Sequence, residues 1–157
     1  MLREAPAAVR RLRRPEDRRT VTECAAALRE VAAEPGDRLL HWDLHYENVL
    51  APRPGARPGR EPWLAIDPKP LVGDPCFELL PGLRNRFAEV AATGDVRRAV
   101  LRRFDVLTEA AGLDRERARC WTLARVLQEA LWSTRSGRTS LDPVPAAIAT
   151  ALLTRNG

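Results

Sequence analysis

Lysine is nearly missing from this chain: Lys69 is the only one among 26 basic residues. Arginine carries the rest, so the net charge of +5 and pI ≈ 10.0 reflect a composition rich in Arg, Ala and Pro as much as a binding face. The excess is also local. Residues 1–20 hold seven arginines (Arg3, Arg10, Arg11, Arg13, Arg14, Arg18, Arg19) against three acids (Glu4, Glu16, Asp17). No recognised nucleic-acid motif accompanies them, so nucleic acid is not the expected partner. Long apolar runs are lacking too. None approaches the ~20 residues that span a bilayer, and no apolar stretch marks a signal peptide. No membrane partner and a cytoplasmic location are therefore expected. Cysteine is sparse, and Cys24, Cys76 and Cys120 are odd in number, far apart and without a C-x-x-C pair. They read as reduced thiols, with neither a disulfide framework nor a zinc site. What is present, 157 residues with 45% hydrophobic and 30% charged, suits one ordinary globular domain. No internal repeat appears.

Most of the chain has a helical rhythm. Leu2, Ala5, Val9 and Leu12 predict a helix over 2–13 that ends near Pro15. Thr20-Val21-Thr22-Glu23 reads as a capping box opening a second helix. Val21, Cys24, Ala25, Leu28, Val31 and Ala32 form its apolar stripe, and Pro35-Gly36 stops it. Gly73-Asp74-Pro75 predicts another start, with Asp74 as N-cap and Pro75 at the first helical position. Phe77, Leu80, Leu83 and Phe87 follow, and Pro81 should bend or split that element. An amphipathic helix is expected over 95–111, stopped by Gly112, and another over 115–134. Asp142-Pro143 opens a last one.

Between these helices the pattern changes. Residues 38–41, 48–51 and 63–66 read as short strands, and the Pro-, Gly- and Arg-rich run 52–62 as an exposed connection. The first two strands flank His41-Trp42-Asp43-Leu44-His45-Tyr46-Glu47-Asn48, which contains both histidines of the chain. This H-x-D-x-x-x-x-N spacing puts a candidate catalytic base, Asp43, and a candidate metal-binding amide, Asn48, on one loop. Asp67, at the end of the third strand, would bring a carboxylate beside Asn48 for Mg²⁺. His41 should pack beneath the loop and bond its backbone, while His45 would orient Asp43 or a substrate. Taken singly, Asp43 and Asn48 are turn formers and Asp67 a strand cap; together, at this spacing, they read as a phosphoryl-transfer site. The fold class expected is α+β, mostly α, with a small β-hairpin insertion carrying the catalytic loop.

Three segments then carry a resemblance. His41 to Leu50, Ala65-Ile66-Asp67-Pro68-Lys69-Pro70-Leu71, and Gly73-Asp74-Pro75 through Leu83-Arg84-Asn85-Arg86 resemble the aminoglycoside phosphotransferases. The likeness is to their streptomycin 6-kinase branch, grouped with hydroxyurea-resistance kinases, and is strongest over 39–87. It implies a protein-kinase-like C-terminal lobe over 1–157, ATP as phosphoryl donor and an aminoglycoside hydroxyl as acceptor. By the same resemblance Asp43 is the catalytic base, Asn48 and Asp67 are Mg²⁺ ligands, and Lys69 reaches a phosphate or is a solvated strand-end lysine. Glu78 stands where relatives often brace the catalytic loop with Asp, and Trp42 where many have Gly. His45, Glu47, Asp74, Glu129 and Asp142 are candidates for meeting a cationic substrate; Trp121 and Trp132 read as core. With no glycine before Gly36 and no lysine before Lys69, a nucleotide-binding N-terminal lobe is expected to be absent from this chain. The alternative is a non-catalytic remnant or binding module of the same family. Under either reading, an apolar exposed cleft edge would favour self-association.

Overall fold

A computed structural model describes residues 1–51 and 63–154. The expected exposed connection at 52–62 lies outside the described residues. The described chain is mostly helical, with four very short strands: α1 (Ala5–Arg11), α2 (Pro15–Val31), β1 (Arg38–Leu40), β2 (Val49–Leu50), β3 (Leu64–Ala65), β4 (Leu71–Gly73), α3 (Leu79–Arg84), α4 (Phe87–Ala91), α5 (Val96–Ala110), α6 (Arg115–Arg135) and α7 (Pro143–Leu153). No helix among the described residues is long and apolar enough to cross a membrane.

The helices form where local chemistry asks for them. Asp95, Asp114 and Asp142 each accept a backbone N–H at the start of α5, α6 and α7, satisfying donors that the helix leaves free. Helix α2 departs from expectation. It begins at Pro15, five residues before the Thr20–Glu23 box, because proline fits the first helical position and Glu16 and Asp17 suit the positive end of the dipole. Inside the helix, Thr20 and Thr22 donate their hydroxyls to the carbonyls of Glu16 and Arg18. Glu23 pairs with Arg19 at 2.9 Å.

Gly36 then turns the chain in a left-handed conformation (φ 80°). A Cβ there would lie 2.5 Å from the backbone nitrogen of Asp74, so only glycine lets these two segments approach.

Burial joins the helices into one core. Leu123 and Leu127 on α6, Phe104 on α5, Ile148 on α7 and Leu80 on α3 are fully enclosed. Cys24, Cys76 and Cys120 are buried and unpaired. Two arginines of the basic N-terminal segment serve the fold. Arg11 donates to the Thr134 carbonyl at 3.1 Å and Arg18 to that of Leu12 at 2.7 Å. The break expected at Pro81 falls elsewhere. A 3₁₀ turn (Pro75–Glu78) leads into α3, whose third residue is Pro81. In that first turn its missing N–H leaves no bond unmade. The helix ends instead at Asn85, and Arg86 takes a left-handed conformation (φ 53°).

The β structure is not a single hairpin. β1 pairs antiparallel with β4, and β2 with β3, in two separate ribbons. The strands flanking the loop do not pair with each other because residues 66–69 bond to both ends of that loop. Ile66 donates its N–H to the Asn48 carbonyl and Lys69 to the His41 carbonyl, each at 2.9 Å. β4 carried no strand signal of its own in sequence.

Candidate active site

The loop 41–48 is bound from below and from one side. The N–H of His41 donates to Glu78 Oε1 at 2.6 Å, so the longer acid does reach the loop. The His41 ring meets the Ile66 carbonyl through Nε2 at 2.8 Å, one residue before Asp67. At the far end a 3₁₀ turn, Tyr46–Asn48, closes the loop. The buried Asn48 donates Nδ2 to the Asp43 carbonyl at 3.0 Å. That bond uses the amide nitrogen and leaves Oδ1 as the end able to take a cation.

Two backbone positions here are costly. Trp42 (φ 66°) and Asp67 (φ 54°) lie in the left-handed region, which side chains other than glycine rarely adopt. Such conformations persist only where surrounding contacts over-determine them. Both adjoin the candidate chemistry.

Asp43 is mostly enclosed and surrounded by basic side chains. Lys69 Nζ donates directly to its Oδ2. Arg84 Nη2 and His45 Nε2 each lie 3.9 Å from its Oδ1. The hydrogen bond from Lys69 holds the Asp43 carboxyl below the usual carboxylate range; burial opposes this, and His45 and Arg84 add to it. Lys69 is raised in turn, first by its bond to Asp43 and further by the fields of Asp43 and Asp67. Asp67 itself is exposed. Its strand is held in register with the loop end, Val49 opposite Ala65.

The remaining expected residues separate into groups. Glu47 is exposed, 3.8 Å from His45 Nδ1. Asp74 is buried: Oδ1 caps the Cys76 N–H at 2.9 Å and Oδ2 binds Arg117 Nε at 2.6 Å. Burial alone would raise the Asp74 carboxyl, but the Cys76 N–H and Arg117 outweigh it and hold it below its ordinary value. Both carboxylate oxygens of Asp74 are thus engaged within the fold. Glu129 binds Arg84 at 2.7 Å, and burial pushes its carboxyl up against the opposing pull of Arg84 and Arg125. Glu129 and Asp142 line one cavity of about 320 Å³ together with Arg84. Arg84 thus runs from this cavity to Asp43.

The two tryptophans part company. Trp121 is buried and meets Phe77 edge-on, centroids 5.7 Å apart. Trp132 corrects the core reading. It is 43% exposed because it sits at the end of α6 against Trp42, ring centroids 6.0 Å apart and planes at 82°.

Arg125 was missed. It falls on α6 among the apolar stripe, is buried, and lies 4.4 Å from the Trp42 ring centroid. An arginine within such a stripe is the signal that would have found it.

A family model described as aminoglycoside/hydroxyurea antibiotic resistance kinase matches residues 3–137. The chain is 55% identical to a streptomycin 6-kinase of Streptomyces griseus over 152 residues, covering 97% of this chain and 48% of that protein. It is 54% identical to the enzyme of the same name from Streptomyces glaucescens, with the same coverage. A hydroxyurea phosphotransferase of Kitasatospora aureofaciens is 55% identical over 100% of this chain and 42% of its own length. The chain therefore spans about half the length of the curated relatives it matches. No solved structure matches it significantly.

Proposed function

The chain belongs to the aminoglycoside/hydroxyurea antibiotic resistance kinases, and from that premise we propose that it is the catalytic lobe of an ATP-dependent phosphotransferase. Its acceptor is a hydroxyl of a streptomycin-like aminoglycoside, and its lobe is kinase-like. The observation that carries this reading is the meeting of Asp43, Asn48 and Lys69 at one loop, beside the segment that bears Asp67.

Phosphoryl transfer asks the protein for positioning and charge stabilisation more than for covalent chemistry. Asp43 is ionised at neutral pH and takes the proton of the acceptor hydroxyl through a carboxylate oxygen. Lys69 leaves Asp43 when a phosphate offers it a stronger partner, which frees that oxygen for the hydroxyl. Asn48 and Asp67 offer an amide oxygen and a carboxylate, the hard donors that Mg²⁺ prefers. These two residues would hold the ion, and its contribution when bound is to neutralise charge on the phosphates. On the acceptor side, Glu129 and Asp142 in the cavity beside Arg84 attract the cationic groups of an aminoglycoside.

Leu39, Leu50, Leu64 and Val72 are exposed on the strands around the loop. An apolar face of this kind calls for cover, which supports a second, nucleotide-binding lobe as partner in the whole protein.

Incubation of the purified chain with ATP, Mg²⁺ and streptomycin, read by mass spectrometry of the drug, tests the reading. Little turnover is expected from this lobe alone, and Asp43→Asn should lower it by about 10³-fold, the scale of a lost general base. Identical traces for the two proteins would reject catalysis and leave a binding module.

A further inference from the structure

Arg125 is buried, yet among the described residues no carboxylate forms an ion pair with it; Glu129, Asp43 and Glu78 act on it only through their fields. Its guanidinium lies 4.4 Å from the ring centroid of Trp42, 5.2 Å from Phe77 and 6.0 Å from Trp132. Nη1 donates to Gln128 Oε1 at 2.6 Å and Nη2 to the Trp42 carbonyl at 3.3 Å. Nε has no partner among the described residues. Burying a charge on such terms is expensive. Hydrophobic packing on α6 would be met at lower cost by leucine or methionine.

What the guanidinium touches indicates its use. It grips both ends of one residue, stacking on the ring of Trp42 and bonding its carbonyl. Trp42 is in the left-handed region (φ 66°) and directly precedes Asp43. Glycine would adopt this conformation freely, whereas tryptophan must be held in it. A planar cation that both stacks and donates can do so; an ammonium cannot do both in the same geometry.

We infer that Arg125 is a positioning residue: through the ring and carbonyl of Trp42 it locks the strained start of the loop and so sets the direction of the Asp43 carboxylate. The catalytic consequence rests on the proposed role of Asp43; the locking of the loop does not. Arg125 itself touches no reacting atom.

Hydrogen–deuterium exchange on the 157-residue chain reads the lock directly. Arg125→Met should keep the melting temperature within a few degrees, because an apolar side chain replaces a poorly compensated buried charge. The same change should speed exchange at 42–48 by about tenfold or more, by local opening. In the Trp42→Gly background the added effect of Arg125→Met should shrink to about threefold or less, since glycine needs no clamp. Arg125→Lys, which keeps the charge and most of the stem, should behave as Arg125→Met does and stands in if that variant fails to fold. Wild-type exchange at 42–48 in both Arg125 variants would overturn the inference. So would an equal effect of the substitution in the Trp42 and Trp42→Gly backgrounds.

In turnover, kcat should fall by about 30-fold or more while KM for streptomycin stays within about threefold, as for a misplaced reacting group. A rise in KM alone would also overturn it. If wild type and Asp43→Asn turn over equally, the catalytic reading fails and the exchange result alone decides the clamp.

Discussion

Leu123, Leu127 and Ile148 are wholly buried between helices, whereas Leu39 and Val72, opposite each other on β1 and β4, are 77% and 65% exposed. The helical body is held by burial, which is non-directional and roughly proportional to the area removed from water. The region around the loop is held by directed bonds: Glu78 on the His41 N–H, the His41 ring on the Ile66 carbonyl, Asn48 on the Asp43 carbonyl. Burial keeps a chain folded, but it tolerates shifts of an ångström. A reacting carboxylate does not. The separation teaches that burial and directed bonds are carried by different residues here, and it predicts that each can be removed without the other.

The largest effect on folding should come from the body. Leu123→Ala is expected to cost about 2–5 kcal/mol in urea unfolding, by lost transfer energy and a residual cavity. A cost as small as that of a surface change would mean that α6 is not the centre of the core.

Asp74 stands at the border of the two regions, and Asp74→Ala should cost about 1–3 kcal/mol by removing a buried cap and ion-pair partner. Its carboxyl is held below the ordinary value when folded. Its stabilisation is therefore present above the unfolded pKa and lost as pH falls through the folded one. Acid unfolding followed by circular dichroism should show wild type losing this increment in that window, while Asp74→Asn, which cannot titrate, does not.

A subtler change is expected in the loop. Lys69 is the leading cause of the lowered Asp43 carboxyl, so Lys69→Met should move the acid limb of kcat/KM to higher pH. An unmoved limb would show that Asp43 does not report in that profile. The smallest effect belongs to the exposed strand face. Val72→Lys should change stability by no more than about 0.5 kcal/mol. If that face meets a second copy in solution, sedimentation of concentrated protein should show less association in the variant than in wild type.

Much of the body could be read from the sequence. Asp74 caps the turn that leads into α3 and Asp142 caps α7 as their positions predict, because a cap is an interaction within three or four residues. The start of α2 was misread for an equally local reason. Two signals competed, and proline at the first position prevailed over the threonine box. Within the loop, the spacing of Asp43 and Asn48 is legible, but the His41 ring, expected to bond the loop's own backbone, meets the Ile66 carbonyl of the neighbouring segment instead. That Glu78 reaches His41 was left open in sequence, since the length of a side chain does not say where its helix begins. Trp132 was read as core because its helical position resembles that of Trp121; only the placing of Trp42 beneath it explains its half-exposed ring.

By itself the sequence determined most of the helices, the caps at Asp74 and Asp142, and the spacing of the oxygen-bearing residues at 43, 48 and 67, since each is written in neighbours or fixed spacings. Only the tertiary structure decided that residues 66–69 bond to both ends of the loop, and that Arg125 reaches across 83 positions to Trp42. No local period marks such contacts. They exist because the packed helices bring distant side chains together, where a strained backbone and a buried cation each supply what the other lacks.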